Sequence, residues 1–182
     1  GGVGLIKKLS KPLNHNFKKN NSALILIGKT FGHLEQSCFL KENYSISEGM
    51  PPEVNLSNEK NNGEALLKLI DKNLIISSHD VSSGGLITAL SEMSIGSSFG
   101  AKIFKPKKLT NLYEYFFGED QARYIIEIET NDLIKTEKIL KENNVYFENI
   151  GFTQKEFFEV DNELKIKTNE LFKINNEWYN NY

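Results

Sequence analysis

The spacing of apolar and polar residues predicts one well-marked strand, turn and helix in the middle of the chain. Four apolar residues fall at positions i, i+3, i+4 and i+7, the spacing of one helix face: Leu86, Ala89, Leu90 and Met93. The apolar run at 74–76 predicts a buried strand just before them. Between run and helix, residues 77–85 are polar or glycine and predict a tight turn.

The same patterns predict further elements on both sides. One predicted helix begins after its capping residue Ser57 and ends at residues 71–73. It carries a broad apolar face. Gly151 separates two of the later predicted strands, and Thr168 caps a last helix. The predicted strands lie at 23–27, 101–104, 124–128, 145–150, 156–160 and 164–166, and a further helix lies at 132–141. Because some strands follow one another directly, the pattern favours an α+β fold, with a mixed sheet packed against helices.

Composition narrows the class of protein. The 182 residues are 39% hydrophobic and 25% charged, as in an ordinary globular protein. The formal net charge of -2 argues against a nucleic-acid binder, and no apolar run is long enough to span a membrane. The single cysteine, Cys38, excludes an intrachain disulfide and is expected to be a small core residue. We therefore expect a cytoplasmic protein.

The first residues predict a boundary. Residues 1–21 are rich in glycine, then basic and rich in asparagine, which predicts a linker or arm from a missing upstream domain, with 10–21 as a flexible tail. Residues 22–182 are then one α+β domain. The start has no methionine and no long apolar stretch, so we expect a piece cut from a longer chain.

The turn after the central strand carries the first candidate site. His79 and Asp80 are suited to contact a phosphate or a hydroxyl, and Ser82, Gly84 and Gly85 are suited to hold an anion where the helix begins. Capping of the turn and of the helix explains the same residues without a ligand, and the residues alone favour that explanation slightly for His79 and Asp80.

A second polar loop precedes the strand at 124–128. After Gly118, Glu119 is suited to a metal, Gln121 to a substrate amide, and Arg123 to a phosphate that it pairs bidentately. Asp120 adds a further charge. The alternative, which the residues alone favour, is a solvated turn whose charges pair with one another.

Other motifs assign no chemistry. Residues 28–30 read GKT after a strand, but the P-loop glycine five residues earlier is missing, since position 23 is Ala. The histidines show no metal-ligand spacing, and no nucleophile stands beside a base. No catalytic residue and no metal ligand is therefore assigned.

Two stretches nevertheless resemble a known family. HDVSSGGLITALSEM (79–93) is similar to the HDVSDGGL-x-x-AL-x-EM signature of the phosphoribosylformylglycinamidine synthase large subunit, and FFGEDQARYIIEI (116–128) is similar to its FGE-x-Q-x-RY-x-V loop. GGVGLIKKL, LILIGKTFGHLEQSCFL and EGMPPEVNL agree more weakly, in order and approximate spacing. Ser83 stands where that family usually has Asp, which puts a charge-based role there in doubt.

The resemblance implies a fold like the C-terminal domain of the aminoimidazole ribonucleotide synthetase superfamily. It implies an ATP- and Mg²⁺-dependent amidation of formylglycinamide ribonucleotide with ammonia from a glutaminase subunit or domain. Most ATP and Mg²⁺ ligands are expected in an upstream ATP-binding domain, so that the chain alone is inactive. The loops at 79–85 and 118–123 are expected to face a cleft that this domain completes.

Two alternatives remain. One is another member of the superfamily, such as selenophosphate synthetase or thiamine monophosphate kinase, against which the FGEDQAR loop argues. The other is a non-catalytic domain that binds a ligand or acts as a scaffold. An upstream ATP-binding domain in the same reading frame favours the enzyme.

Overall fold

The structure, a computed structural model, describes residues 3–5, 12–106 and 111–180. The helices in these ranges are α1 (Cys38–Tyr44), α2 (Leu56–Asp71), α3 (Gly85–Ile95), α4 (Leu112–Phe117), α5 (Leu133–Glu142) and α6 (Thr168–Asn180), with a 3-10 turn at Thr130–Asp132. The strands are β1 (Ala23–Ile27), β2 (Ser77–Asp80), β3 (Phe99–Ile103), β4 (Tyr124–Ile128), β5 (Phe147–Lys155), β6 (Phe157–Val160) and β7 (Leu164–Lys167).

The described strands form one mixed sheet in the order β2-β4-β1-β5-β3-β6-β7. Neighbouring strands are antiparallel except β3 and β6, which run parallel. The predicted α+β fold with a mixed sheet is therefore confirmed.

Helices cover both faces of the sheet, and β1 is an interior strand between β4 and β5. Leu24 and Leu26 point into one core, together with Leu90 of α3 and Phe116 of α4. Ile25 and Ile27 belong to the second core, which α2 and α5 close. Because successive side chains of a strand point to opposite faces, an uninterrupted apolar run suits a strand buried on both sides. Each such side chain contributes about 2 kcal/mol by its burial.

The strand that precedes α3 begins later than predicted. Residues 74–76 are not a strand; they form the segment that connects α2 to the sheet. In this segment Leu74 N donates to Leu69 O, and Ile76 N donates to Glu127 O. The strand is Ser77–Asp80, which we expected to be part of the turn. The apolar residues at 74–76 indicate that this stretch is buried. They do not distinguish a buried strand from a buried connecting segment. The helix predicted after the glycines is confirmed as α3, with its four apolar residues buried.

The break predicted at Gly151 is wrong. β5 runs continuously through it, and its pairing with β1 shifts by one residue between Leu24 and Ile25, which is a β-bulge. Gly151 has φ 150°, and a Cβ there would collide with the carbonyl oxygen of Lys102 on β3. The glycine therefore allows two strands to approach closely and does not end either of them.

Two helix starts differ from the prediction. The N-cap of α2 is Asn55 and not Ser57, since the Asn55 side chain accepts from Asn58 N. α4 was not predicted as a helix; Asn111 caps it, and its six residues are too few to show a period. α6 begins at Thr168 as expected, although the Thr168 hydroxyl donates to the Glu156 carbonyl.

The second described part of the predicted arm, residues 12–21, packs against the domain, whereas residues 3–5 are exposed. Phe17 is buried, and its N–H donates to Met93 O of α3. The N–H groups of Lys18 and Lys19 donate to the Glu127 carboxylate. These contacts differ from the flexible tail expected for this segment, because the aromatic side chain fills the core under α3. Residues 1, 2 and 6–11 lie outside the described chain.

Candidate functional site

The two motif loops lie against each other. β2 ends at Asp80, and the chain turns through Gly84 and Gly85, both with positive φ (82° and 72°), into α3. A Cβ on Gly85 would lie 2.7 Å from the carbonyl oxygen of Phe116, at the end of α4. Only a glycine allows the start of α3 to press on the backbone that leads into the second loop.

Glu119 joins the loops by hydrogen bonds. Its Oε1 accepts from Gly84 N at 2.7 Å and from Cys38 N at 2.8 Å. Its own N–H donates to His33 O at 2.9 Å. The Glu119 carboxylate, a group suited to a metal, therefore already binds backbone amides of two segments that are distant in sequence.

Cys38 is not the core residue that we expected. It is exposed at the first position of α1, and its backbone N–H is the group that meets Glu119. The prediction rested on the small apolar side chain of Cys38. What makes the contact at this position is the backbone N–H of Cys38.

Asp120 holds the segment that follows β1. It is 4% exposed, and its carboxylate accepts from Phe31 N and Gly32 N at 2.9 Å each and from His33 N at 3.2 Å. A buried carboxylate is stable only when such donors replace water. The GKT turn thus leads into a segment fixed by Asp120.

The Arg123 side chain points inward. It has no exposed surface, and it donates to Asp120 O (3.2 Å), Thr30 Oγ1 (3.2 Å) and Gly118 O (2.5 Å). Burial lowers the pKa of the Arg123 guanidinium, and the charge of Asp120 opposes that effect. The phosphate-pairing role predicted for Arg123 has no support here, because its donors have internal partners.

His79 lies at the edge of the sheet on the side of α3. Its Nε2 is 3.0 Å from the carboxylate of Glu92 on α3, its Nδ1 is 3.3 Å from Asp80, and its ring lies 5.1 Å from that of His15. Its partners are therefore carboxylates and the arm. Ser82 O accepts from Gly85 N, which closes the turn.

A cavity of about 630 Å³ opens beside the second loop. It is bordered by residues 31–35, by the start of α2 with the loop before it, and by residues 120–122. Residues 79–85 are not among the described residues that border it, although Gly84 of the first loop is hydrogen-bonded to Glu119 of the second. Of the predicted site residues, the exposed Gln121 is the one that faces this cavity.

The loop at 49–52 is held over one side of the cavity. His33 Nε2 lies 2.8 Å from Met50 O, Gln36 donates to Gly49 O at 2.6 Å, and Met50 N donates to Glu35 at 2.6 Å. Residues 33–36 and 49–58 were not predicted as site residues. The signal for them was the weak agreement of LILIGKTFGHLEQSCFL and EGMPPEVNL with the family.

The cavity is acidic. Among the described residues, its wall contains Glu35, Glu53, Glu114 and Asp120 and neither Lys nor Arg. The Lys29 ammonium lies 4.9 Å from the ring centre of Phe31, an exposed residue of the wall. Carboxylates repel a phosphate and favour a neutral amide or a cation. Among the described residues, no three His, Cys, Asp or Glu side chains are grouped to hold a metal ion. No helix within the described ranges is both long and apolar enough to cross a membrane.

A mixed sheet with helices on both faces and a glycine turn that leads into α3 defines the domain as α+β. The chain belongs to the family described as AIR synthase related protein, C-terminal domain, whose model matches residues 19–160. The resemblance found in the sequence is thereby confirmed at the level of the domain family.

Similar proteins are subunits of one enzyme. Phosphoribosylformylglycinamidine synthase subunit PurL of Pelagibacter ubique (strain HTCC1062) is 48% identical over 182 residues, all of this chain and 25% of that protein. The PurL subunit of Rhodopseudomonas palustris (strain HaA2) is 35% identical over the same length, again 25% of that protein. The chain therefore spans about a quarter of the length of these relatives.

Solved structures show the same fold. T. maritima PurL complexed with FGAR has a TM-score of 0.71 at 15% identity, over 88% of this chain and 29% of that chain. Thiamine-monophosphate kinase from Stenotrophomonas maltophilia K279a has a TM-score of 0.56 at 13% identity, over 82% and 52%. The fold is thus shared by proteins with different names.

Proposed function

We propose that this chain is the C-terminal domain of a phosphoribosylformylglycinamidine synthase of purine biosynthesis. The observation that carries the proposal is the 48% identity to a PurL subunit along all 182 residues. The agreement of the 79–93 and 116–128 motifs with that enzyme family supports the same assignment. The more distant thiamine-monophosphate kinase shares only the fold.

The proposed reaction is an ATP-dependent amidation. ATP phosphorylates the amide oxygen of formylglycinamide ribonucleotide, ammonia adds to the activated carbon, and phosphate leaves to give the amidine, with ADP as the other product. The ammonia comes from glutamine through a glutaminase subunit or domain, and the enzyme works in the cytoplasm. In keeping with this, T. maritima PurL has been solved with ATP and with FGAR, and also in a PurLQS assembly.

This chain contributes a wall of the site and not the phosphoryl-transfer machinery. Gln121 presents an amide to the acidic cavity, and an amide side chain is suited to bind a neutral amide of a ligand. Glu119 and Asp120 fix the loop that carries Gln121. The N–H donors of Arg123 already have hydrogen-bond partners within the domain. We assign any phosphate contact to segments outside this chain, because the part of the cavity wall that the structure describes carries four carboxylates and neither Lys nor Arg.

Magnesium would accompany ATP in this reaction and neutralise the phosphate charge. The described residues do not fit it, since no three His, Cys, Asp or Glu side chains among them converge. Both Mg²⁺ and most ATP contacts are therefore assigned to an upstream ATP-binding domain, and no step is derived through the ion.

A chimeric enzyme tests the proposal. The matching quarter of the Pelagibacter ubique PurL is replaced by this chain, and amidine formation is measured from formylglycinamide ribonucleotide, ATP and ammonium. Ammonium removes the need for a glutaminase. We expect the chimera to be active. We expect the chain alone to be inactive, and likewise the relative from which the matching quarter has been removed.

Two results would count against the proposal. One is a folded chimera that forms no amidine beside an active parent, and the other is amidine formation by the isolated chain. The second would show that the chain holds the whole phosphoryl-transfer site.

A supporting, non-catalytic domain is the second candidate function. One observation favours it: the charged side chains of the loop at 118–123 have partners within the domain. In that case Gln121 has no ligand, and its replacement leaves the chimera unaffected.

A further inference from the structure

The start of α3 has the geometry that usually receives an anion from outside. Backbone N–H groups at the beginning of a helix have no partner inside it, and they favour negative charge. Here Gly84 N, at the N-cap of the 11-residue α3, points at a carboxylate oxygen of the same chain, Glu119 Oε1, at 2.7 Å.

The same oxygen also receives a second amide. Cys38 N donates to Glu119 Oε1 at 2.8 Å, so one carboxylate oxygen joins the start of α1 to the start of α3. Two amides that converge on one carboxylate oxygen form charge-assisted hydrogen bonds, which are stronger than neutral ones.

The backbone places this carboxylate firmly. Glu119 N donates to His33 O, and the preceding Gly118 is packed against Gly32 and the carbonyl of Glu114. The buried Arg123 feels the charge of Glu119, which acts to raise the pKa of the guanidinium. The negative charge is therefore held between a cation and two amides.

We propose that Glu119 is a positioning residue that serves as a built-in anion. It takes the place that an external phosphate or carboxylate would occupy beside Gly84, and it locks the first motif turn to the second motif loop and to α1. The inference does not depend on the proposed reaction, since it concerns only contacts within this chain. A ligand of the cavity then meets Gln121, two residues further on, in a fixed position.

Chemical rescue tests this proposal. In the full chain, Glu119→Ala is expected to lower Tm by about 6 °C, because two strong hydrogen bonds are lost. Formate, which offers the missing carboxylate, is expected to restore at least half of that loss and to change the Tm of the unaltered chain far less. Inorganic phosphate, as a second probe, is expected to act in the same direction.

Two variants complete the experiment. Glu119→Gln keeps an acceptor oxygen without the charge, and we expect it to lose about half as much Tm as Glu119→Ala. Glu142→Ala, which removes an exposed glutamate of α5, is the matched control and is expected to show no formate effect beyond that of the unaltered chain.

Hydrogen exchange keeps the proposal testable if Glu119→Ala does not fold. In Glu119→Gln the amides of Gly84 and Cys38 are expected to exchange faster, and those of Ile126 and Leu90 to stay protected. The proposal is overturned if Glu119→Ala keeps the original Tm, if formate raises the Tm of Glu119→Ala and Glu142→Ala equally, or if the Gly84 and Cys38 amides exchange at unchanged rates in Glu119→Gln.

Discussion

The Ser77 hydroxyl donates a hydrogen bond of 2.7 Å to the Glu127 carboxylate, and both residues are fully buried where β2 pairs with β4. The same carboxylate accepts the backbone N–H groups of Lys18 and Lys19 at 3.0 Å each. One buried acid thus joins the edge strand, the neighbouring strand and the arm.

Removing this acid is expected to destabilise the chain strongly. Glu127→Ala leaves three donors without their acceptor, which should lower the free energy of unfolding by about 3 kcal/mol. Ser77→Ala removes one donor and should cost about 1 kcal/mol. Urea unfolding measures both, and Glu64→Ala, at an exposed position of α2, is the control with an expected change within about 0.5 kcal/mol. Equal losses for Glu127→Ala and Glu64→Ala would contradict the prediction.

Asp120→Asn is expected to loosen the segment after β1. An amide offers one acceptor oxygen where three N–H groups now meet a carboxylate, and the change removes the carboxylate that pairs with the buried Arg123. The free energy of unfolding should fall by about 2 kcal/mol. Hydrogen exchange should increase at Phe31 and Gly32. Asp161→Asn, at a partly exposed carboxylate near Lys102, is the control; an equal effect of the two changes would exclude a special role for Asp120.

Gln121→Ala separates a ligand contact from a structural role. Since Gln121 is exposed, the free energy of unfolding should change by no more than about 0.5 kcal/mol. In the chimeric PurL, the loss of one hydrogen bond to the substrate should lower kcat/KM about tenfold. Asn58→Ala, at another position of the cavity wall, tests whether the effect is specific to the amide of Gln121. An unchanged kcat/KM would favour the supporting-domain function.

Stability should fall at alkaline pH because of Tyr146. Its hydrogen bond to Glu148, followed by burial, raises the pKa of Tyr146 to about 12 from an ordinary value of 10.0. A raised tyrosine pKa means that the folded state prefers the neutral phenol, so this contribution is complete below pH 10 and is lost as pH rises toward 12. Burial also raises the pKa of Tyr115, which donates to the same Glu148.

The measurement is urea unfolding between pH 9 and pH 12, the range that brackets the two pKa values of Tyr146. Tyr146→Phe should make the decline with pH shallower, and phenolate absorbance should lose a group that titrates near 12. Tyr113→Phe removes one exposed tyrosine of α4 and corrects for the smaller number of phenols. A decline with the same slope in Tyr146→Phe and in the unaltered chain would contradict the assignment.

Local patterns were sufficient for elements whose period is long enough to count. The four apolar residues of α3 and the run of β1 were placed correctly, because burial on one face or on both faces leaves a regular signature. The six residues of α4 show no full period, and the glycine of β5 indicates a break unless the neighbouring strand is known.

The site was only partly predictable for a different reason. Sequence identifies Glu119 and Arg123 as groups able to bind a ligand, but their partners, such as Gly84 and Cys38, come from distant segments. Whether a charged side chain faces a ligand or the protein depends on these long-range contacts. The prediction that charges of this loop pair among themselves holds for Asp120 and Arg123, although both are buried and not solvated.

The arm also covers part of one edge of the sheet. An open sheet has two edges whose unpaired amides can capture a strand of a second molecule and start aggregation. At one edge the Asn14 carbonyl accepts from Ser78 N of β2, so the arm covers part of that edge. At the other, β7 carries the exposed Lys165 and Lys167, whose charges oppose the approach of another copy. Both edges of the sheet thus carry features that oppose pairing with a strand of another copy.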